Sequence, residues 1–238
     1  MTWKTKALEH AKEKFPCESC GLLVVVKGKE TYFACKNIAE DPEDIFIIDP
    51  KDWARAEDKG EIISVIHSHP TTSPELSMAD KVACENTKLP WYVVNPDSQE
   101  WVKHDPCGYK APLIGRQWVW GVNDCWSLCR DYYKEHLGIK LRDWDRPTSS
   151  EAFDLNPMFE RCFITTGFRE LKPEEELQKN DLLLMSIKSP GMNHIGLYLG
   201  DQGDQMVLHH LQSRLSSRDL LDEWLLKCIR KRIRYEFA

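Results

Sequence analysis

Several features common in chains of this length are missing here. No apolar run approaches the roughly 20 residues that a membrane-spanning helix needs. The opening Met-Thr-Trp-Lys-Thr-Lys-Ala lacks the apolar core of a signal peptide, so export by a visible signal is not expected. There is no internal repeat and no low-complexity tract. A basic excess is also missing. The net charge of -6 removes the electrostatic argument for nucleic acid as a partner. The most basic stretch, Lys227-Cys-Ile-Arg230-Lys231-Arg232-Ile-Arg234, alternates with apolar residues and reads as a terminal strand with a solvated face. The 9 cysteines are odd in number and follow no repeating spacing, which argues against a disulfide framework and for a reducing compartment. Cys17-x-x-Cys20 has no second such pair to complete a four-cysteine zinc site, and it stands at a helix-to-strand turn. It reads as two ordinary thiols.

What is present is the composition of a globular protein, with 42% hydrophobic and 29% charged residues over 238 positions. That length suits one large domain or two of about a hundred residues each. The patterning predicts a helix over 3–14, strands over 21–26, 31–37 and 44–48, and a helix over 50–57. A strand over 61–67, a helix over 77–87 and a strand over 91–95 follow, so this half is α/β. Around 103–116 prolines and glycines replace periodicity, which marks a linker. Beyond it the pattern predicts helices over 125–136 and 149–163. Short strands follow over 182–187, 194–199 and 206–211, then a helix over 217–227. This half is α+β.

The first half carries His67-Ser-His69 at the end of an apolar strand, with Ser77 and Asp80 downstream. Side chains at i and i+2 of a strand share a face, so both imidazoles can converge, and Asp80 can bring a carboxylate to the same point. Two histidines, one carboxylate and an open position make the ligand set of a catalytic zinc site. Such a site needs a general base, and Glu18 is the candidate; Ser77 could donate to an oxyanion. Ser77 and Asp80 also fit a helix capping box, which leaves the histidines unexplained. Glu18 together with His67-Ser68-His69, Ser77 and Asp80 resembles the JAMM motif of the MPN-fold metalloproteases. That resemblance implies a layered α/β domain similar to cytidine deaminases. It implies Zn2+ on His67, His69 and Asp80, with Glu18 as general base and Ser77 stabilising the intermediate.

The second half carries Asn123-Asp124-Cys125-Trp126 at a helix start, where unpaired N–H groups and the helix dipole favour a thiolate. His194 opens one predicted strand and His209 lies in the next. Adjacent antiparallel strands can bring them together, giving a cysteine, a base and a residue that orients the base. His210 competes with His209, since neighbours on a strand face opposite ways. Asp-Cys at the helix start, His194-Ile-Gly-Leu-Tyr-Leu-Gly and Leu208-His209 resemble the NlpC-type peptidoglycan peptidases, papain-like in fold. The resemblance implies Cys125 as nucleophile, His194 as base and His209 as the orienting residue. Trp118 and Trp120 stand where many members of that family have an oxyanion-binding tyrosine. Cys129, one turn on, reads as a core thiol.

A JAMM-type domain over 1–104, a linker over 105–116 and an NlpC-type domain over 117–238 together resemble the tail-tip assembly proteins of lambda-like tailed bacteriophages. The resemblance implies partners among other tail-tip proteins and no membrane span. It implies residence in the host cytoplasm during tail assembly, with the virion tail tip as a second location. Three roles stay open: a peptidoglycan endopeptidase acting on host cell-wall peptides, a protease maturing another tail protein, and an assembly factor with vestigial sites.

Overall fold

The run Cys20-Gly-Leu-Leu-Val-Val-Val contains no polar side chain, which suits a strand covered on both faces. It forms β1 (Cys20–Val26), an inner strand of a five-stranded sheet. The computed structural model describes residues 1–147, 152–153, 158–200 and 205–236. Within it the chain divides into two units, Met1–Lys110 and Ala111–Ala238.

In the first unit β1 is flanked by β2 (Lys29–Cys35) and β3 (Glu61–Ser68); β4 (Trp91–Val94) and β5 (Trp101–His104) complete the order β2-β1-β3-β4-β5. The pair β3–β4 is parallel and the others are antiparallel. A parallel pair needs a crossover, and α3 (Met78–Thr87) provides it. On one face Ala7 of α1 (Trp3–Lys14) packs on Leu23, Tyr32 and Ile66. On the other, Ala56 of α2 (Pro50–Glu57) and Cys84 of α3 cover Leu22, Val24, Val65 and Val93. Each of these fully buried aliphatic side chains contributes roughly 1.5–3 kcal/mol. Val65 and His67 alternate onto the same face, so the apolar ladder that builds the core also aims His67 at the α2–α3 layer.

The second unit is a six-stranded antiparallel sheet, starting with β6 (Phe168–Glu170), β7 (Leu182–Met185) and β8 (His194–Tyr198). It continues with β9 (Met206–His209), β10 (Ser217–Leu220) and β11 (Ile229–Tyr235), in the spatial order β10-β9-β8-β7-β11-β6. Helix α4 (Cys125–Leu137) lays Leu128, Cys129 and Tyr133 on Leu182, Leu184, Ile195 and Leu197. Cys129 is thus a core thiol. A short α5 (Phe159–Cys162) joins the same core through Phe159. The opposite face is covered by Leu221 and by Leu225 of α6 (Glu223–Cys228). The basic C-terminal stretch is the strand β11, with Lys231 bonded to Glu170 and Arg234 to Asp181. Among the described residues, no helix is long and apolar enough to cross a membrane.

The structure departs from the sequence pattern in four places. Residues 44–48 form no strand beyond a single bridge from Asn37 to Ile48. The Asn37 amide takes the Ile45 carbonyl and the Ile47 N–H, satisfying backbone that a neighbouring strand would otherwise pair. Residues 217–227 are not one helix: Ser217–Leu220 pairs with β9, and helix begins only at Glu223, after the N-cap Asp222. The short β5 and β6 lie where no strands were expected. The stretch expected as a linker over 105–116 carries no helix or strand, and the division between the two units falls within it. Backbone N–H groups of Cys107, Gly108 and Tyr109 all donate to Glu85. In the second unit Arg116 is fully buried, bonded to Asp131 and to the carbonyls of Ala111 and Pro112. Of the helix predicted over 149–163, residues 149–151 and 154–157 lie outside the described residues.

Candidate active sites

In the first unit β3 ends at Ser68, where it delivers His67, and His69 follows one step beyond the strand. The two Nε2 atoms lie 3.1 Å apart. Asp80 places Oδ1 3.5 Å from His67 Nε2 and Oδ2 3.4 Å from His69 Nε2. Glu18 Oε1 stands 3.7 Å from His69 Nε2. Local structure sets each group. The His69 ring is held by its Nδ1–H donating to the Ser73 carbonyl at 2.8 Å. The His67 ring is held by packing, stacked on Phe46 with Trp91 at its edge, and its Nδ1 has no partner among the described residues. The Glu18 backbone is fixed by the Pro42 carbonyl, which accepts its N–H, and by the Asn37 amide, which donates to its carbonyl.

Ser77 and Asp80 form a capping box on α3: the Ser77 hydroxyl accepts from the Asp80 N–H, and the Ser77 N–H donates to Asp80 Oδ2. The box is also what aims the Asp80 carboxylate. Its backbone bond holds Oδ2 at the helix start, where both imidazoles can reach it.

The donor set fits a zinc ion. Two nitrogens about 2.05 Å from a tetrahedral ion lie about 3.3 Å from each other, and the observed spacings of 3.1, 3.4 and 3.5 Å surround that value. His67, His69 and Asp80 together form a group able to hold a metal. Burial pushes Glu18 up to about 8, against the pull of His69. Burial lowers His67. For His69 burial acts downward too, but the Asp80 hydrogen bond and the Ser73 carbonyl outweigh it. Burial alone would raise Asp80, yet His67 and His69 hold it far below the usual carboxylate range.

In the second unit Cys125 is the first residue of α4, whose N-cap Asp124 accepts from the Ser127 N–H at 2.8 Å. Asp124 is buried against Arg146, with Arg146 Nε 2.5 Å from Oδ2. Cys125 and His194 line one cleft of about 690 Å³, with Trp118, Trp120, Trp224 and Arg214 also in its wall. His194 Nε2 is 3.3 Å from His209 Nδ1. The register pairs Gly196 with His209, and residues two apart share a face, so the two rings meet. A Cβ on Gly196 would come within 2.7 Å of Val207 Cγ1, so glycine permits this close strand approach. His210 makes a different contact: its Nε2–H donates to the Arg214 carbonyl, and it does not bond His194.

The relay continues to a residue that sequence reasoning missed. His209 Nε2 lies 2.9 Å from Asp219 Oδ2, which also accepts from the Ser217 hydroxyl. The signal for Asp219 was hidden because residues 217–227 carry a helical pattern, whereas pairing with β9 draws 217–220 into the sheet. Burial pushes the Cys125 thiol up to about 12, with Asp124 adding to it. Burial, with His209 and His210 nearby, holds His194 well below the ordinary imidazole range. The resting pair is therefore a neutral thiol and a neutral imidazole. The Trp120 ring N–H is committed to the Pro147 carbonyl. In the first turn of α4 the Ser127 and Leu128 N–H groups donate to Asp124.

Comparison with known proteins agrees with both halves. Prokaryotic homologs of the JAB domain match residues 2–104, and the NlpC/P60 family matches residues 115–232. The tail tip assembly protein K of Escherichia phage N15 is 35% identical over 213 residues, covering 89% of this chain and 85% of that protein. The chain belongs to the tail tip assembly protein K family. The K protein of Escherichia phage lambda is also 35% identical, over 177 residues, 74% of this chain and 83% of its own length. A JAB1/MPN domain protein from Archaeoglobus fulgidus, a solved structure, is 18% identical. It matches 46% of this chain and 87% of its own, with a TM-score of 0.30. The layered first half is thus the JAB-type domain of a K-family chain, and the second half is its NlpC/P60 domain.

Proposed function

We propose that this K-family chain serves phage tail-tip assembly and carries two hydrolytic centres. The main one is a cysteine endopeptidase that cuts amide bonds in host cell-wall peptides through Cys125. The observation that carries this reading is the bonded series His194–His209–Asp219 beside a cleft that Cys125 also lines. The Asp219 carboxylate can only accept, so His209 Nε2 carries the proton and its Nδ1 is bare. His209 Nδ1 then accepts from His194 Nε2–H, which leaves His194 Nδ1 as the free base. The thiol proton moves to His194 as sulfur attacks the carbonyl carbon. Backbone N–H groups at the start of α4 hold the oxyanion. On collapse the C–N bond breaks and the departing amine takes the proton from His194. Water, deprotonated by His194, then releases the acyl group as a carboxylic acid and restores the thiol.

The second centre is a zinc peptidase site. His67, His69 and Asp80 would hold the ion, which would supply Lewis acidity toward a peptide carbonyl and toward water. Glu18 would carry protons to the departing amine, and Ser77, which orients Asp80 through the capping box, would donate to the oxyanion. Other tail-tip proteins are the binding partners, met in the host cytoplasm during assembly.

The test is digestion of purified murein by the full chain, with released peptides identified by mass. Wild type releases peptides, Cys125→Ala does not, and Glu18→Gln does. An inert wild type against murein would overturn the cell-wall reading. Cleavage of a co-assembled tail protein by the same Cys125 would move it to maturation of the tail.

A further inference from the structure

Away from both centres, in the first unit, Glu85 of α3, His104 at the end of β5 and Cys107 bring a carboxylate, an imidazole and a thiol within 4.8 Å of one another. We propose that these three residues form a second zinc-binding site. Cys107 Sγ lies 3.9 Å from His104 Nε2. A sulfur at about 2.3 Å and a nitrogen at about 2.05 Å from a tetrahedral zinc stand about 3.6 Å apart, so small side-chain rotations close the site.

The carboxylate is already oriented. Glu85 Oε1 accepts from the backbone N–H groups of Cys107, Gly108 and Tyr109 at 2.7, 2.9 and 2.9 Å. These three donors on one oxygen hold the carboxylate beside Cys107. The same bonds fix the Cys107 backbone beside the carboxylate. His104 is tied to the core at its carbonyl, which lies 3.8 Å from the Cys84 thiol. Cys107 is exposed, so an ion reaches it without unfolding, and the fourth position is left to water. A mixed thiolate, imidazole and carboxylate set favours zinc over calcium or magnesium. On binding, the Cys107 thiol gives its proton to solvent and sulfur takes its place on the metal. The ion pins residues 104–109 to α3.

Cobalt separates this site from the first, because His67, His69 and Asp80 include no thiol. Co2+ is added to the full chain carrying Cys125→Ala, which removes the nucleophile as a competing ligand. A thiolate-to-cobalt charge-transfer absorption appears and, in the chain that also carries His67→Ala, saturates at one equivalent. His67→Ala leaves that absorption unchanged, whereas Cys107→Ser and His104→Ala abolish it, and zinc competes it away. Absence of the band in the Cys125→Ala chain, or its survival in Cys107→Ser, overturns the proposal. Failure of the first zinc site would change the total metal count and not this band.

Discussion

If Asp219 sets the tautomer of the relay, removing it slows Cys125 by a small and calculable amount. The bond from His209 to Asp219 is 2.9 Å and charge-assisted, a type worth about 1.5–3 kcal/mol when shielded from water. The Asp219 side chain is 48% exposed, however, while His209 is 1% exposed. Screening reduces the bond to about 1 kcal/mol, or about fivefold in rate. His209→Ala instead removes the ring bonded to His194 in a buried setting, at about 2–4 kcal/mol, which is roughly 30-fold to 1000-fold. The assay does not need the natural substrate: iodoacetamide alkylation of Cys125, followed by peptide mass mapping, reads how readily His194 takes the thiol proton. Asp219→Ala is expected about fivefold slow, Asp219→Asn close to wild type because its amide oxygen can still accept, and His209→Ala far slower. An unchanged Asp219→Ala rate, or a loss as large as that of His209→Ala, would refute the relay.

Three further outcomes follow from the same structure. His67→Ala and His69→Ala should each lower bound zinc by one ion per chain, read by elemental analysis of protein purified without chelator. Burial pushes His210 down to about 4, so between that value and the unfolded value near 6.5 the unfolded chain binds the extra proton. Stability of the second unit therefore falls as pH drops through that window, by about 2 kcal/mol after allowance for screening. His210→Asn should flatten this slope in urea titrations, and an unaltered slope would contradict it. Gly196→Ala should destabilise the second unit by about 1–3 kcal/mol through the clash with Val207, measured as a lowered urea midpoint.

What the sequence disclosed follows from local rules. The spacing of His67 and His69 was legible from strand periodicity of two; β3 carries His67 and His69 follows it, with the two Nε2 atoms 3.1 Å apart. Ser77 and Asp80 were open to two readings, a cap and a site. The structure shows the cap, and the same bond turns the Asp80 carboxylate toward His67 and His69. Cys125 was legible from the Asp124 cap at the helix start. The departures are non-local. Asp219 became visible only through pairing of β10 with β9, which overrides helical periodicity at 217–220. Phe46 looked like strand and instead stacks on His67, because Asn37 captures the backbone on either side of it. Glu85 carried no motif, and its contacts depend on a loop 22 and 23 residues downstream folding onto it.

The claim that two separate chemistries share one chain is tested most directly by chelation. Murein cleavage by the full chain is measured before and after complete removal of metal. The account predicts unchanged cleavage without metal and none in Cys125→Ala. Cleavage that disappears with the metal and persists in Cys125→Ala would contradict it.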